Sequence, residues 1–355
     1  MTWLPFCCES NCLGATSGAG LNSETLGILG GLRVAESFVI GPEDVAHAAR
    51  QLEGHVLRTP LISSEALSRV LGCSVYLKAE NLQQTGSFKA RGATNAVLSL
   101  APDCAERGVV THSSGNHAAA LARAARMRGV PAHIVMPSNS SPVKLAAVRG
   151  YGIEPVLCGV TSEERAAVCE NVRASTGATL IHPYETPQVI AGQATVAAEM
   201  IEQANDLAAV FCPVGGGGLL AGTLISVKHM QPSVRVIAAE PAWADDTARS
   251  LRSGRWEQPT RYDSIADGLR TAVGQHTLPI IRHLLDDIIL VSESEILTAM
   301  RILAERAHLV VEPSGAVAFA GLMQSAENFS GLSVGVILSG GNLNMNNCRL
   351  GTPSH

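Results

Sequence analysis

Residues 209–222 read Ala-Val-Phe-Cys-Pro-Val-Gly-Gly-Gly-Gly-Leu-Leu-Ala-Gly, and this stretch decides the fold. An apolar run of strand length, 209–213, leads through four glycines into an apolar stretch of helical length. A strand that is apolar throughout must be covered on both faces, as in a parallel sheet flanked by helices. Glycines let the backbone wrap an anion, and the free N–H groups of the following helix point at it, so the junction predicts a phosphate site. Gly216-x-Gly218-x-x-Ala221 also matches the dinucleotide fingerprint, with Glu240 about 20 residues further on, where that motif requires an acid. The motif stands midway through the chain, however, and leaves two other polar junctions without a purpose. A bound dinucleotide stays open as the rival reading.

Short β-branched runs alternate with Ala-rich stretches from Pro42 onward. Strands are expected at 74–77, 109–111, 133–136, 154–157, 209–213, 234–239, 288–291 and 334–338, and helices at 117–127, 188–203 and 293–307. This order predicts α/β architecture with parallel-rich sheets, whose ligands sit at the carboxyl ends of strands. At 355 residues the chain exceeds the usual size of one domain, so two domains sharing a site are expected.

Composition narrows the function classes. With 46% hydrophobic and 16% charged residues the chain is expected to fold into a large core. A net charge of −5, with no run of Lys and Arg, argues against nucleic acid as a partner. No apolar run approaches the roughly 18 residues that span a bilayer, so no membrane association is expected. Nine cysteines without a C-x-x-C pair read as free thiols in a reducing compartment. Cys7, Cys8 and Cys12 cluster, but no partner follows them at metal-site spacing. The first 40 or so residues hold Glu9 and Glu24 and a single basic residue, Arg33, which fits neither a secretory signal nor a transit peptide. They are expected to form a flexible extension of a cytoplasmic protein.

The other two junctions carry unusual chemistry. In Thr-Gly-Ser-Phe-Lys-Ala-Arg-Gly-Ala at 85–93, Ser87 is expected to cap a helix with Lys89 in its first turn. A cation is disfavoured at that end of a helix, unless an anionic group lies beside it. In Thr-His-Ser-Ser-Gly-Asn-His at 111–117, small hydroxyls and a helix N-terminus form a receptor for a carboxylate.

The three junctions together resemble the fold-type II pyridoxal phosphate (PLP) enzymes, and within them the serine racemase and serine/threonine dehydratase branch. The likeness runs from about 42 to about 343 and includes Ile190-Ala-Gly-Gln193, Ala239-Glu-Pro241, Ile265-Ala-Asp-Gly268, Glu312-Pro313 and Leu338-Ser-Gly-Gly-Asn342. The resemblance implies that Lys89 is the Schiff-base lysine, Phe88 packs beside the cofactor ring and Asn116 binds its 3-hydroxyl. Gly215, Gly216, Gly217 and Gly218 would hold the phosphate, and Ser339 would face the pyridine nitrogen. Ser113, Ser114, Asn116 and His117 would dock the substrate carboxylate, with Arg165 approaching when a small domain closes. Ser114 would be the second acid/base. Glu240, Asp246 and the Ala244 carbonyl would form a divalent-cation site for Mg²⁺, Ca²⁺ or Mn²⁺.

The activity so implied is interconversion of L- and D-serine, accompanied by loss of the β-hydroxyl to give aminoacrylate, which hydrolyses to pyruvate and ammonia, in a homodimer. An ammonia-lyase acting on serine, threonine or 3-hydroxyaspartate without racemisation is the alternative. The implied organisation is an extension at 1–41, a large PLP-binding domain at 42–106 plus 186–347, a small mobile domain at 107–185 and a tail at 348–355. Ala119, Tyr184 and His308 stand where animal racemases bind an activating nucleotide, so ATP activation is not expected. The runs 181–185 and 117–121 look more like the plant branch.

Overall fold

The computed structural model describes residues 38–113 and 115–344. Ser114, residues 1–37 with Cys7, Cys8 and Cys12, and residues 345–355 with Cys348 lie outside the described residues. In chain order the strands are β1 (Leu61–Ser63), β2 (Ser74–Ala79), β3 (Val109–His112), β4 (Ala132–Pro137), β5 (Val156–Cys158), β6 (Thr179–Leu180), β7 (Leu207–Pro213), β8 (Arg235–Pro241), β9 (Asp287–Val291) and β10 (Ser333–Leu338). They form two sheets, one of six strands in the order β1-β2-β10-β7-β8-β9 and one of four in the order β5-β4-β3-β6. Every pairing is parallel except that of β1 with β2.

Strand β7 shows why its sequence lacks alternation. Ala209 and Phe211 enter one buried cluster with Ile237, Ala239, Val336 and Leu338. Val210 and Cys212 enter another with Val236, Ala238 and Ile337. Both faces of the sheet are therefore core, and each fully buried Val, Ile, Leu or Phe contributes about 1.5–3 kcal/mol. The helix expected at 188–203 spans Pro187–Gln203, and those expected at 117–127 and 293–307 span Asn116–Arg128 and Glu293–Arg306. Strand β5 starts later than expected, at Val156. Pro155 has no N–H to give to a ladder, and Glu154 instead pairs with Arg149 at 2.6 Å. Strands β1 and β6, of three and two residues, are too short to show a period.

Because β10 lies between β2 and β7, the turns that follow these three strands converge at one edge of the large sheet. Residues 86–88 run antiparallel to 339–341: Phe88 N donates to Ser339 O at 3.1 Å and Gly341 N donates to Gly86 O at 2.9 Å. That pairing brings two distant motifs, at 85–93 and 338–342, side by side.

Candidate active site

Lys89 opens the helix Lys89–Leu98. Ser87 does not cap this helix, which corrects the sequence expectation. An antiparallel bridge to Gly340 holds Ser87 extended, the cap position falls to Phe88, and no side-chain cap bond forms. The Ser87 hydroxyl is buried without a partner among the described residues. Lys89 Nζ donates to the Pro183 carbonyl at 2.8 Å and lies 5.0 Å from the centre of the Phe88 ring. Burial lowers its pKa to about 8.

Two residues further on, Arg91 anchors the same helix. Its guanidinium is fully buried and binds Glu80 through two nitrogens, at 2.9 and 2.7 Å. It also binds Glu199 at 2.6 and 2.9 Å, and Glu199 in turn holds the buried Lys78 at 2.7 Å. Two cations and two carboxylates thus compensate one another, and removing one member of such a buried set costs about 3–5 kcal/mol. The network was not anticipated from sequence, where Arg91 reads as an ordinary helical residue.

The glycine loop leads from β7 into the helix Gly218–Met230 and is buried throughout. Gly217 adopts φ +86°, which an L side chain rarely takes. A Cβ on Gly216 would lie 2.4 Å from the Tyr184 ring, and the Gly216 carbonyl accepts from Thr277 Oγ1 at 2.9 Å. The first amides of the helix are those that an α-helix leaves without internal partners. Pro183 thus contacts Lys89 while its neighbour Tyr184 packs on the loop, a closeness that the sequence does not signal.

At the second junction Asn116 starts the helix Asn116–Arg128. Its Nδ2 donates to Glu312 Oε1 at 2.7 Å and its Oδ1 accepts from Asn342 Nδ2 at 2.9 Å. Glu312 is buried, and burial, reinforced by Asp267, raises its pKa to about 8. Ser339 follows β10, also buried, with Oγ 3.4 Å from the Ser314 carbonyl. Ser113 Oγ accepts from Gly115 N at 3.3 Å. His117 Nε2 lies 3.1 Å from the Ile181 carbonyl, and burial followed by the charge of Lys89 depresses its pKa to about 3. Burial and neighbouring cations likewise lower His112 and His182, whose rings meet edge to face. His117 and His182, which both feel the Lys89 charge, are therefore neutral imidazoles at neutral pH. Arg165, near the start of the helix Ser162–Thr176, makes itself felt there through its charge on His112.

The expected metal residues come together at the end of β8. Glu240 accepts from the Thr247 and Ala248 amides, both at 2.9 Å, and Asp246 accepts from Val273 N at 2.8 Å. Asp246 Oδ1 is buried and unpartnered among the described residues. Burial and, for Glu240, the neighbouring Asp246 raise these acids to about 8 and about 7. Ala244 is buried beside them in sequence.

A family model described as "Pyridoxal-phosphate dependent enzyme" matches residues 52–340. The chain belongs to that family. It is 43% identical over 307 residues to the serine racemase of Dictyostelium discoideum, covering 85% of this chain and 95% of that protein. It is 41% identical over 303 residues to the L-threo-3-hydroxyaspartate ammonia-lyase of Saccharomyces cerevisiae, covering 85% and 93%. The solved structure of maize serine racemase superposes with a TM-score of 0.85 at 38% identity, covering 87% and 95%. The fold-type II expectation is thereby met, and the dinucleotide reading of the glycine loop falls away.

The residues present fit the cofactor. The buried glycine turn at a helix N-terminus suits its phosphate, and a buried amine with lowered pKa suits its aldehyde. Only the neutral amine attacks a carbonyl. Capture of added PLP by the cofactor-free protein should therefore quicken as pH rises toward the Lys89 pKa of about 8 and level off above it. Stopped-flow absorbance across pH 6–10 reads this directly, and a pH-independent rate would contradict it.

Proposed function

We propose that the protein interconverts L- and D-serine and, from the same site, eliminates water from serine to give aminoacrylate, which takes up water again to release pyruvate and ammonia. The likeness to proteins named serine racemase, over nearly their whole length, carries the choice of substrate. When bound, PLP supplies an electron sink that acidifies the α-proton of an amino acid joined to it. Lys89 would hold it, and the Lys89 amine would serve one face of the substrate α-carbon as acid and base. Ser114 serves the other face. Gly215 to Gly218 would hold the phosphate, Phe88 would pack beside the ring, Asn116 would donate to the ring oxygen and Ser339 would face the pyridine nitrogen. Ser113, Ser114, Asn116 and His117 receive the substrate carboxylate, while Arg165 belongs to a small mobile unit, 107–185, that closes over it.

A lyase that acts on 3-hydroxyaspartate or threonine is the second reading, favoured by the likeness to the yeast ammonia-lyase. Incubating the pure protein with each substrate and measuring both D-amino acid and keto acid separates the two. D-serine formation from L-serine supports the first reading, and keto acid alone supports the second.

Glu240, Asp246 and the Ala244 carbonyl are proposed to hold Mg²⁺, Ca²⁺ or Mn²⁺, since all are hard oxygen donors. Support comes from two buried acids that form no salt bridge among the described residues, with Asp246 Oδ1 left without a hydrogen-bond partner there. The same residues offer a route to the site: Asp246 holds Val273 N, and Gly274 N holds the Gly216 carbonyl at 3.2 Å. Raised carboxyl pKa values stabilise the fold below the ordinary value of 4.5, and that contribution is lost as pH rises to about 8. Metal-free protein should accordingly lose melting temperature from about pH 5 to 8, and Mg²⁺ should restore more at pH 8 than at pH 6. Glu240→Gln should blunt the restoration. Identical melting curves in EDTA and in saturating metal would remove the site.

ATP is expected to do little, and a homodimer is the proposed assembly, to be read by sedimentation. No helix among the described residues is long and apolar enough to cross a membrane. Cys73, Cys158, Cys169 and Cys212 are buried free thiols, which supports a reducing, cytoplasmic location.

A further inference from the structure

The orientation of the Asn116 amide is set by a chain of donors that begins at a backbone carbonyl. Thr85 sits at φ +61°, rare for a β-branched residue, and its carbonyl accepts from Asn342 Nδ2 at 2.7 Å. A carbonyl oxygen can only accept, so the Asn342 group facing it is the NH₂. The same nitrogen lies 2.9 Å from Asn116 Oδ1. Both its hydrogens are then committed, and Asn116 must turn its oxygen toward them. Asn116 Nδ2 is left on the other side, where it donates to Glu312 Oε1 at 2.7 Å. Two close approaches hold this geometry. A Cβ on Gly86 would lie 2.3 Å from Asn342 Oδ1, and one on Gly340 would lie 2.3 Å from Glu312 Oε1. Among the described residues the second Asn116 Nδ2 hydrogen finds no acceptor.

We propose that Asn342 and Glu312 are positioning residues that lock the Asn116 amide with its N–H edge toward the cofactor, so that the site offers the ring oxygen of PLP a donor and never an acceptor. This rests on the reading above that Asn116 meets that oxygen. Turning the amide over would set N–H against N–H at Asn342, whose two hydrogens are committed to the Thr85 carbonyl and to Asn116, so Asn342 opposes the flip, while Glu312 Oε1 receives the N–H edge in the observed orientation. A donor held opposite the ring oxygen favours its ionised form. The lock therefore bears on cofactor affinity and on the visible spectrum, independently of turnover.

The test measures the PLP dissociation constant and the pH titration of the visible band of the holoprotein, with the melting temperature of the cofactor-free form as the check on folding. Asn342→Asp replaces both donors by oxygen at an exposed position, where a charge is tolerated. It should weaken PLP binding about tenfold and displace the titration, with little change in melting temperature. Glu312→Leu should do the same, whereas Glu312→Gln, which keeps an acceptor oxygen, should stay within about threefold of the parent. In an Asn116→Ala background Asn342→Asp should add no further loss, because it acts through that amide. An equal loss in both backgrounds would overturn the lock and leave Asn116 as a cofactor contact. If Asn116→Ala alone changes neither affinity nor spectrum, the underlying reading of Asn116 fails instead.

Discussion

Lys89→Ala is expected to abolish both racemisation and elimination and to remove the visible absorbance that borohydride would otherwise trap on a lysine. The loss of a positioned acid/base costs about 10²–10⁴ in rate, and here the same residue also tethers the cofactor. No substitute stands ready. Lys78, the other buried lysine, is committed to Glu199 at 2.7 Å, to Gln203 at 2.9 Å and to the Thr59 carbonyl at 2.8 Å. Borohydride reduction followed by peptide mapping checks the result. A reducible lysine adduct that survives in the variant would place the tether elsewhere.

Ser114→Ala is expected to separate the two activities. Racemisation needs an acid/base on each face of the α-carbon, whereas elimination from L-serine needs only the lysine face. L-to-D conversion should fall by about 10²–10⁴, while pyruvate formation from L-serine survives within about tenfold. D-serine is the internal control, because its α-proton faces Ser114 and its elimination should collapse together with racemisation. Equal loss of L-serine elimination would make Ser114 a carboxylate-binding or structural residue. Normal racemisation would assign that face to another group.

The glycine loop and the β3–Asn116 junction were legible because backbone chemistry is written locally. Four glycines after an apolar strand admit few conformations other than a close wrap at a helix N-terminus, and Gly217 at φ +86° is one result. The parallel sheets were legible for a similar reason, since strands such as β7 are apolar on both faces. The cap assigned to Ser87 failed because a local rule met a long-range constraint. The bridge from Ser87 to Gly340 crosses some 250 residues of sequence and takes the backbone that the cap would have used.

Fold class and family were legible along the chain because each depends on short patterns of residue type, and the same patterns nominated the candidate site residues. Only the tertiary structure decided their electrostatic state and orientation. The lowered Lys89 pKa, the raised acids at Glu240 and Glu312 and the four-charge network around Arg91 arise from burial among partners that lie tens to hundreds of residues away. Desolvation and hydrogen-bond direction are properties of three-dimensional neighbourhoods, so no pattern along the chain records them.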